Sequence, residues 1–252
     1  MKKNSALEHK YQGEKGVYIA ELAGKDSIAA MKVIIDCFSP KIIVPVAIDI
    51  GVERGGDEAP AQNVKLLRDL LLKEKKAHKT TKAVDVVITE IVEIDFSRLY
   101  NRLVLQTMGE FQQCFPFFSP CPPCHFFLHY CRVPIAQFLG VNAIITGERE
   151  LHDDRVKINQ TSDLLSFFVD YFEREENLKL MQPLRKINRS KEIHDVLNKS
   201  WNLEGIQKSC IFSGNYRDTK GKVFGASEDW VGALKDFYAP KMKREFHKLL
   251  KN

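Results

Sequence analysis

The sequence contains no long hydrophobic run. No stretch of the 252-residue chain approaches the ~20 consecutive apolar residues that a membrane-spanning helix needs. The chain opens with a pair of lysines but no apolar segment follows them, which is unlike a secretory signal peptide. We therefore expect no membrane partner and a cytoplasmic location.

Two familiar nucleotide-binding patterns are also absent. The chain contains neither the GxxxxGK[ST] spacing nor the GxGxxG spacing, and it has no internal repeat or low-complexity tract. Its formal net charge is +5, which permits a nucleic-acid partner without requiring one. The composition, 44% hydrophobic and 28% charged, is ordinary for a globular protein and leaves room for one large domain.

The sequence has six cysteines, and their placement is informative. Without an export signal, cysteines serve metal or redox chemistry more often than a disulfide framework. Cys37 lies on a predicted apolar helix and is typical of a small core residue, whereas Cys114 and Cys131 fit either a core or a site. The remaining three are Cys121, Cys124 and Cys210.

The most informative stretch is Val17–Phe38. An apolar run at Val17–Ala20 predicts a buried strand, Ala23–Ser27 forms a turn of small residues, and apolar residues then recur at helical spacing. Free backbone N–H groups at such a helix start attract anions, phosphate above all. Lys25 adds a positive charge, and Asp26 could hold magnesium or simply cap the helix.

This turn resembles the SGGKDS pyrophosphate loop of the PP-loop ATP pyrophosphatase superfamily. Leu22 stands in place of the first Ser and Ala23 in place of the first Gly, while the four residues that follow match. The resemblance implies an enzyme that cleaves ATP between its α and β phosphates, with magnesium, and adenylates a substrate. It implies catalytic roles for Lys25 and Asp26 and an ATP site at Ala23, Gly24, Lys25, Asp26 and Ser27.

Strands alternate with helices along the rest of the chain. Further strands are predicted at Lys41–Ile50, Ala83–Asp95, Val141–Thr146 and Leu178–Leu184, and helices at Asn63–Lys76, Phe96–Gly109, Leu164–Phe172 and Ser190–Trp201, with Ser190 as a cap. This order predicts an α/β fold with a doubly wound, mostly parallel sheet and a helical C-terminal tail. We expect a mobile segment at 1–15, a nucleotide-binding domain at 16–217 with the cysteine segment inserted, and a basic tail at 218–252.

Cys121 and Cys124 form a CxxC whose prolines are expected to stiffen a loop. Together with Cys210 they could hold a 4Fe–4S cluster with one open iron. Zinc is the alternative cofactor, with His125 or His129 as a further ligand, and a thioredoxin-like redox pair is another.

The order of loop, CxxC and distant cysteine is similar to the iron–sulfur tRNA 2-thiolation enzymes of the same superfamily. That resemblance covers roughly residues 16–217. It implies tRNA as partner, a 4Fe–4S cluster on the three cysteines, Thr146 and Gly147 at the nucleotide, and Asp154 as a catalytic aspartate. The chain departs from the pattern: the expected TGH ends in Glu148, the acidic pair comes late, and terminal zinc fingers are missing.

A second reaction class stays open. Thr146–Arg149 also resembles the TGxR segment of phosphoadenosine-phosphosulfate reductases, whose arginine contacts the anionic substrate. Arg149, Arg155 and Lys157 would suit a phosphate or sulfate group as well as a nucleic-acid backbone, and Arg149 and Arg155 are the predicted ligands of a substrate anion. The hypotheses are therefore a tRNA sulfur transferase, a small-molecule sulfur enzyme, and a zinc-stabilised nucleotide-binding protein without catalysis. The sulfur donor is unknown and a homodimer is possible. The tail either tracks RNA or is an amphipathic helix with Met242, Phe246 and Leu249 on its core side.

Overall fold

A computed structural model describes residues 16–77, 86–198, 208–213 and 227–250. Its central sheet consists of β1 (Val17–Glu21), β2 (Ile42–Asp49), β4 (Val87–Ile88), β5 (Val92–Asp95), β6 (Ala143–Ile145) and β7 (Lys179–Met181); β3 (Glu53–Arg54) and β8 (Ser209–Cys210) form a separate antiparallel ribbon. The strand order in the sheet is β4-β2-β1-β6-β7, and every neighbouring pair is parallel. The predicted α/β fold with a parallel sheet is confirmed.

Helices cover both faces of the sheet. They are α1 (Lys25–Phe38), α2 (Ala59–Lys76), α3 (Ser97–Tyr100), α4 (Met108–Cys114), α5 (Cys121–Leu139), α6 (Ser162–Glu176), α7 (Ser190–Val196), α8 (Ser227–Ala233) and α9 (Ala239–Leu249). One apolar cluster joins α1, α2 and α7 to one face, and an aromatic cluster joins α5, α6, α8 and α9 to the other. Neighbouring strand residues divide accordingly: Ile19 lies in the aromatic cluster and Ala20 in the opposite one.

The proline in β2 lies where its missing N–H costs no ladder bond. Leu22 donates its backbone N–H to Val46, so Val46 faces β1 and its neighbour Pro45 faces the other side. On that side β4 pairs with Ile42 and Ile43, and β5 begins its pairing only at Val46. Pro45 therefore faces the gap between β4 and β5, which explains a proline inside a central strand.

That gap also corrects the predicted strand at Ala83–Asp95. Residues 78–85 lie outside the described part, and the remainder forms two short strands, β4 and β5, that pair with successive parts of β2. Arg68 of α2 donates to the carbonyls of Ile88 and Thr89 at 3.0 and 2.9 Å. The Arg68 guanidinium thus satisfies two backbone carbonyls at the break between β4 and β5, where they have no partner in the sheet.

Two helix predictions need correction. The predicted helix Phe96–Gly109 is α3 followed by a π-helical segment at Asn101–Leu105, and the CxxC is not in a loop, because Cys121 begins α5. The helix predicted over Ser190–Trp201 ends at Val196, because Leu197 caps it and Asn198 is left-handed; residues 199–207 lie outside the described part. Ser190 is the first helical residue and not the cap.

The C-terminal tail packs into the aromatic cluster. Trp230 and Phe246 are fully buried there, and a π-helical segment at Leu234–Tyr238 precedes Pro240. Met242 is also buried, whereas the predicted core residue Leu249 is 48% exposed, so that expectation was wrong. The predicted segment 1–15 and residues 218–226 of the predicted tail lie outside the described part.

Across the described residues, the helices are all too short or too polar to cross a membrane.

Candidate functional site: the nucleotide loop and the cysteine cluster

The predicted phosphate loop lies between the end of β1 and the start of α1. Gly24 is extended and immediately precedes the helix, which begins three residues earlier than the sequence periodicity indicated. Ser27 closes the loop: its hydroxyl donates to the Gly24 carbonyl at 2.6 Å and accepts from the Ala23 N–H at 3.1 Å. The first amides of α1 have no partner within the helix, so this turn is a geometry that binds anions.

Gly147 closes the loop from the adjacent strand β6. A Cβ built on Gly147 would lie 2.6 Å from the backbone nitrogen of Ser27 and 2.7 Å from the carbonyl carbon of Asp26. Thr146 beside it is fully buried, and its hydroxyl has no hydrogen-bond partner among the described residues. The structure therefore brings the two predicted strand ends together at one edge of the sheet, as expected for ligand binding in such folds.

Asp26 is held by a chain of side chains. Arg149 donates from Nε to one carboxylate oxygen of Asp26 at 3.0 Å. His152 lies 2.9 Å from Arg149 and 2.6 Å from Gln160. The other oxygen of Asp26 is buried without a partner among the described residues. A free, buried carboxylate oxygen at a phosphate loop suits a magnesium ion, which prefers oxygen ligands.

Lys25 also has a partner that the sequence did not indicate. Its ammonium lies 3.2 Å from Nε2 of His194 on α7, 169 residues further along the chain. The imidazole must accept this hydrogen bond, since an ammonium can only donate. The contact fixes the loop lysine beside the first turn of α1.

The predicted acidic pair lies beside α7. Asp153 accepts from the backbone N–H and the hydroxyl of Ser190. Asp154 is exposed and pairs with Asn188 and, at 2.7 Å, with Arg189. The catalytic role of Asp154 stays a prediction.

The two arginines predicted to bind a substrate anion differ in their surroundings. Arg149 is 3% exposed and is engaged by Asp26 and the carbonyl of Asn188. Arg155 is exposed and forms no ion pair within the described residues. An anion role therefore remains a prediction for both, and only the guanidinium of Arg155 faces solvent.

The three predicted metal-binding cysteines pack against the same apolar cluster. Cys121 and Cys124 occupy the first turn of α5, and β8 carries Cys210, which lies opposite Glu53 of β3 in the ribbon. Burial raises the pKa of the Cys121 thiol to about 11, and the charge of a Cys210 thiolate acts in the same direction. Burial also raises the pKa of Cys124, and both other thiolates add to the effect. Each thiol therefore lies in the electrostatic range of the others.

These thiols do not surround a single point. Among residues 16–77, 86–198, 208–213 and 227–250, no three His, Cys, Asp or Glu side chains form a group that could hold one metal ion. A lone zinc ion would need sulfur ligands at about 2.3 Å. Binding of zinc or of an iron–sulfur cluster by these three cysteines therefore stays a prediction. Metal ions also stabilise thiolates and would offset their raised pKa values.

The histidines proposed as zinc ligands contact a carboxylate. His125 and His129 lie 3.2 and 3.3 Å from the same oxygen of Glu148, and Gln182 donates to the other oxygen at 3.0 Å. Burial alone would raise the pKa of Glu148, but the charges and hydrogen bonds of the two histidines outweigh it and hold that pKa well below its usual range. This network joins the helix that carries the CxxC to the residue that follows Gly147.

Several residues of this site were not found from the sequence. His152, His194 and Tyr100, whose hydroxyl lies beside the Cys124 thiol, have no local motif. Glu148 is the exception, because its place after Thr146-Gly147 marked it as a departure from the expected motif.

No protein-family model matches the chain. It is 29% identical to Uncharacterized protein MJ0009 of Methanocaldococcus jannaschii over 226 residues, which cover 89% of this chain and 77% of that protein. Among solved structures, a 4-thiouridine synthetase in complex with RNA and bound ATP is similar over 93% of this chain, with a TM-score of 0.51 and 17% identity. A predicted subunit of a tRNA methyltransferase from Methanocaldococcus jannaschii has a TM-score of 0.41 and 15% identity, over 73% of this chain and 75% of that one, which is too low to support an argument.

The likeness to the synthetase shows a shared fold. The matched region is 54% of the synthetase chain, so this protein spans about half the length of that enzyme. The α/β architecture is therefore established. The reaction has to be inferred from the residues of the site.

Proposed function

We propose that this protein is an ATP-dependent sulfur transferase of the PP-loop superfamily that thiolates a carbonyl group in tRNA. The observation that carries the proposal is the position of Cys210, which is 86 residues from Cys124 in the sequence and within electrostatic range of it in the fold. Cys121, Cys124 and Cys210 also pack against the same apolar cluster. Similarity in fold to a 4-thiouridine synthetase solved with RNA and ATP supports the same reaction class.

The chemistry divides between the two parts of the site. The carbonyl oxygen of the substrate attacks the α-phosphate of ATP, and pyrophosphate leaves. Hydrosulfide, already at the oxidation level of the product, then bonds to the carbon. AMP leaves with the original oxygen, and one proton is released. No external oxidant or reductant is needed.

The residues of the loop serve the first step. The amides at the start of α1 and the ammonium of Lys25 bind the phosphates and stabilise the charge that develops on pyrophosphate. Asp26 would hold magnesium through its unpartnered oxygen. A 4Fe–4S cluster on Cys121, Cys124 and Cys210 would supply an iron with an open position for sulfide.

The distribution of cations supports RNA as substrate near the cysteines. Arg54, Arg155 and Lys208 form no close ion pair with described carboxylates. By contrast, Lys241 and Lys243 of the tail pair with Glu110 and Glu175 at 2.7 Å. The tail is therefore engaged in the fold, and cations on the elements around the cysteines are available to phosphates.

The first test is the iron and acid-labile sulfide content of anaerobically reconstituted protein. We expect about four irons per chain, lost in Cys121→Ala, Cys124→Ala and Cys210→Ala. Cys37→Ala, at an exposed position on α1, is the matched control and should keep them. A cluster that survives the loss of Cys210 would contradict the proposal.

The second test is sulfur incorporation. Wild-type protein should release pyrophosphate and AMP in equal amounts while a thiolated nucleoside forms in tRNA, with binding that weakens steeply as salt rises. Nucleotide release coupled to a small-molecule product, with no salt-dependent RNA binding, would instead favour the small-molecule sulfur enzyme.

A further inference from the structure

Lys157 is a half-buried lysine on the segment that precedes α6. Within the described part of the chain its ammonium forms no hydrogen bond and no ion pair. Removing a cation from water without a counter-ion is costly, and proteins usually pair or expose such groups. A cation left in this state is a reason to look for an anion that binds there.

The backbone beside Lys157 is anchored to the nucleotide loop. Lys157 immediately precedes a 3₁₀-helical turn, Ile158–Gln160, whose residues are buried. Gln160 contacts His152, which contacts Arg149, which in turn donates to Asp26. Lys157 is therefore not a loose surface lysine, because three side-chain contacts connect its segment to the first turn of α1.

The charge of Lys157 acts on groups in both halves of the site. Burial lowers its pKa, while the carboxylate of Asp26 and the thiol of Cys121 act in the opposite direction. The same lysine lowers the pKa of Cys121. One ammonium is thus in electrostatic range of the phosphate loop and of the first cysteine of the CxxC.

The neighbouring cations are already engaged. Arg149 donates to Asp26 and to the carbonyl of Asn188, and Lys25 contacts His194. Among the residues described here, the ammonium of Lys157 differs from these two cations, because none of its N–H donors has a protein partner. Lysine provides a compact point charge that suits a phosphate oxygen.

We propose that Lys157 binds the α-phosphate of the nucleotide, first in ATP, then in the adenylated substrate and finally in AMP. This inference rests on the proposed function, in which the substrate oxygen links the α-phosphate to the carbon that sulfur attacks, so that the phosphate must lie near the cysteines. When the bond between that carbon and its oxygen breaks, the electron pair leaves with the oxygen on AMP. The ammonium stabilises the charge that develops there.

The test is nucleotide binding by calorimetry, which requires neither cluster nor tRNA. Lys157→Met is expected to weaken ATP and AMP about tenfold or more, since it removes a charge-assisted contact. Adenosine, which lacks phosphate, should bind both proteins equally. Lys157→Arg keeps the charge and should restore part of the affinity. Lys65→Met, at an exposed position on α2, is the control and should bind like wild type.

A stability measurement separates this role from a structural one. Lys157→Met removes an unpaired, half-buried charge, so its melting temperature should equal or exceed that of wild type while its AMP affinity falls. Unchanged AMP affinity in Lys157→Met, or an equal loss for adenosine, would overturn the inference and leave the proposed function standing. Wild-type protein that binds neither ATP nor AMP would overturn the proposed function itself, and the inference with it.

Discussion

Arg149 donates its Nε–H to the carboxylate of Asp26 at 3.0 Å, although 123 residues separate them in the sequence. The pair joins the loop after β6 to the first turn of α1. The guanidinium is buried, so it positions the nucleotide loop, and Asp26 keeps one oxygen for another ligand.

Replacement of Arg149 should destabilise the protein strongly. Arg149→Met leaves the carboxylate of Asp26 without its partner, which for a buried pair costs about 3 kcal/mol in the free energy of unfolding. Urea denaturation measures this value. Arg174→Met is the control, because Arg174 is 78% exposed and lies 3.9 Å from Asp170; it should cost less than about 0.5 kcal/mol. Equal losses in the two variants would contradict the assigned role.

Gly147→Ala should impair ATP binding. The added methyl group would lie 2.6 Å from the backbone nitrogen of Ser27. Because backbone atoms cannot rotate aside as a side chain can, the loop must shift. We expect at least a tenfold weaker affinity for ATP by calorimetry, on the order of the ~1.4 kcal/mol that one misplaced charge-assisted contact costs. Gly232→Ala in α8 meets no atom within 4 Å and should bind ATP normally. Normal ATP affinity in Gly147→Ala would show that the loop adjusts freely.

Protonation of His152 should lower the free energy of unfolding in mild acid. Burial, together with the charges of Lys157 and Arg149, lowers the pKa of His152 to about 4. The unfolded chain, with a pKa of about 6.5, binds more protons between these values, so stability is full above about pH 6.5 and is lost as the pH falls towards 4, by at most about 3 kcal/mol.

The measurement is the free energy of unfolding of wild type and His152→Gln at several pH values. The difference between the two proteins should shrink as the pH falls through this window, because only the wild type must protonate the buried imidazole. A difference that stays constant with pH would show that His152 does not carry the effect.

Leu22→Ser should cost stability without improving nucleotide binding. The substitution restores the serine of the SGGKDS pattern, yet Leu22 is 4% exposed and packs in the apolar cluster beneath α1. We expect a loss of about 2 to 4 kcal/mol from the shortened side chain and buried hydroxyl. Leu72→Ser, at a site that is 55% exposed, should cost far less. A gain in ATP affinity for Leu22→Ser would mean that the missing hydroxyl belongs to the site.

The sequence by itself determined the α/β class and the position of the Ala23–Ser27 turn at the junction of a strand and a helix, while the roles of that turn and of the three cysteines stay predictions. Local patterns suffice for these features, because alternating strands and helices have distinct apolar periods and a parallel sheet gathers its strand ends at one edge. The loop at Ala23–Ser27 and the strand end at Thr146-Gly147 were therefore expected to meet, and they do.

Only the tertiary structure decided which side chains serve the site. Arg149, a predicted anion ligand, also holds Asp26, and His129, a possible zinc ligand, contacts Glu148. Such partners come from elements far apart in the chain, so no spacing in the sequence encodes them. Burial decides them: once the sheet and its helices are packed, a charge that loses water pairs with a complementary group nearby, as Arg149 does with Asp26.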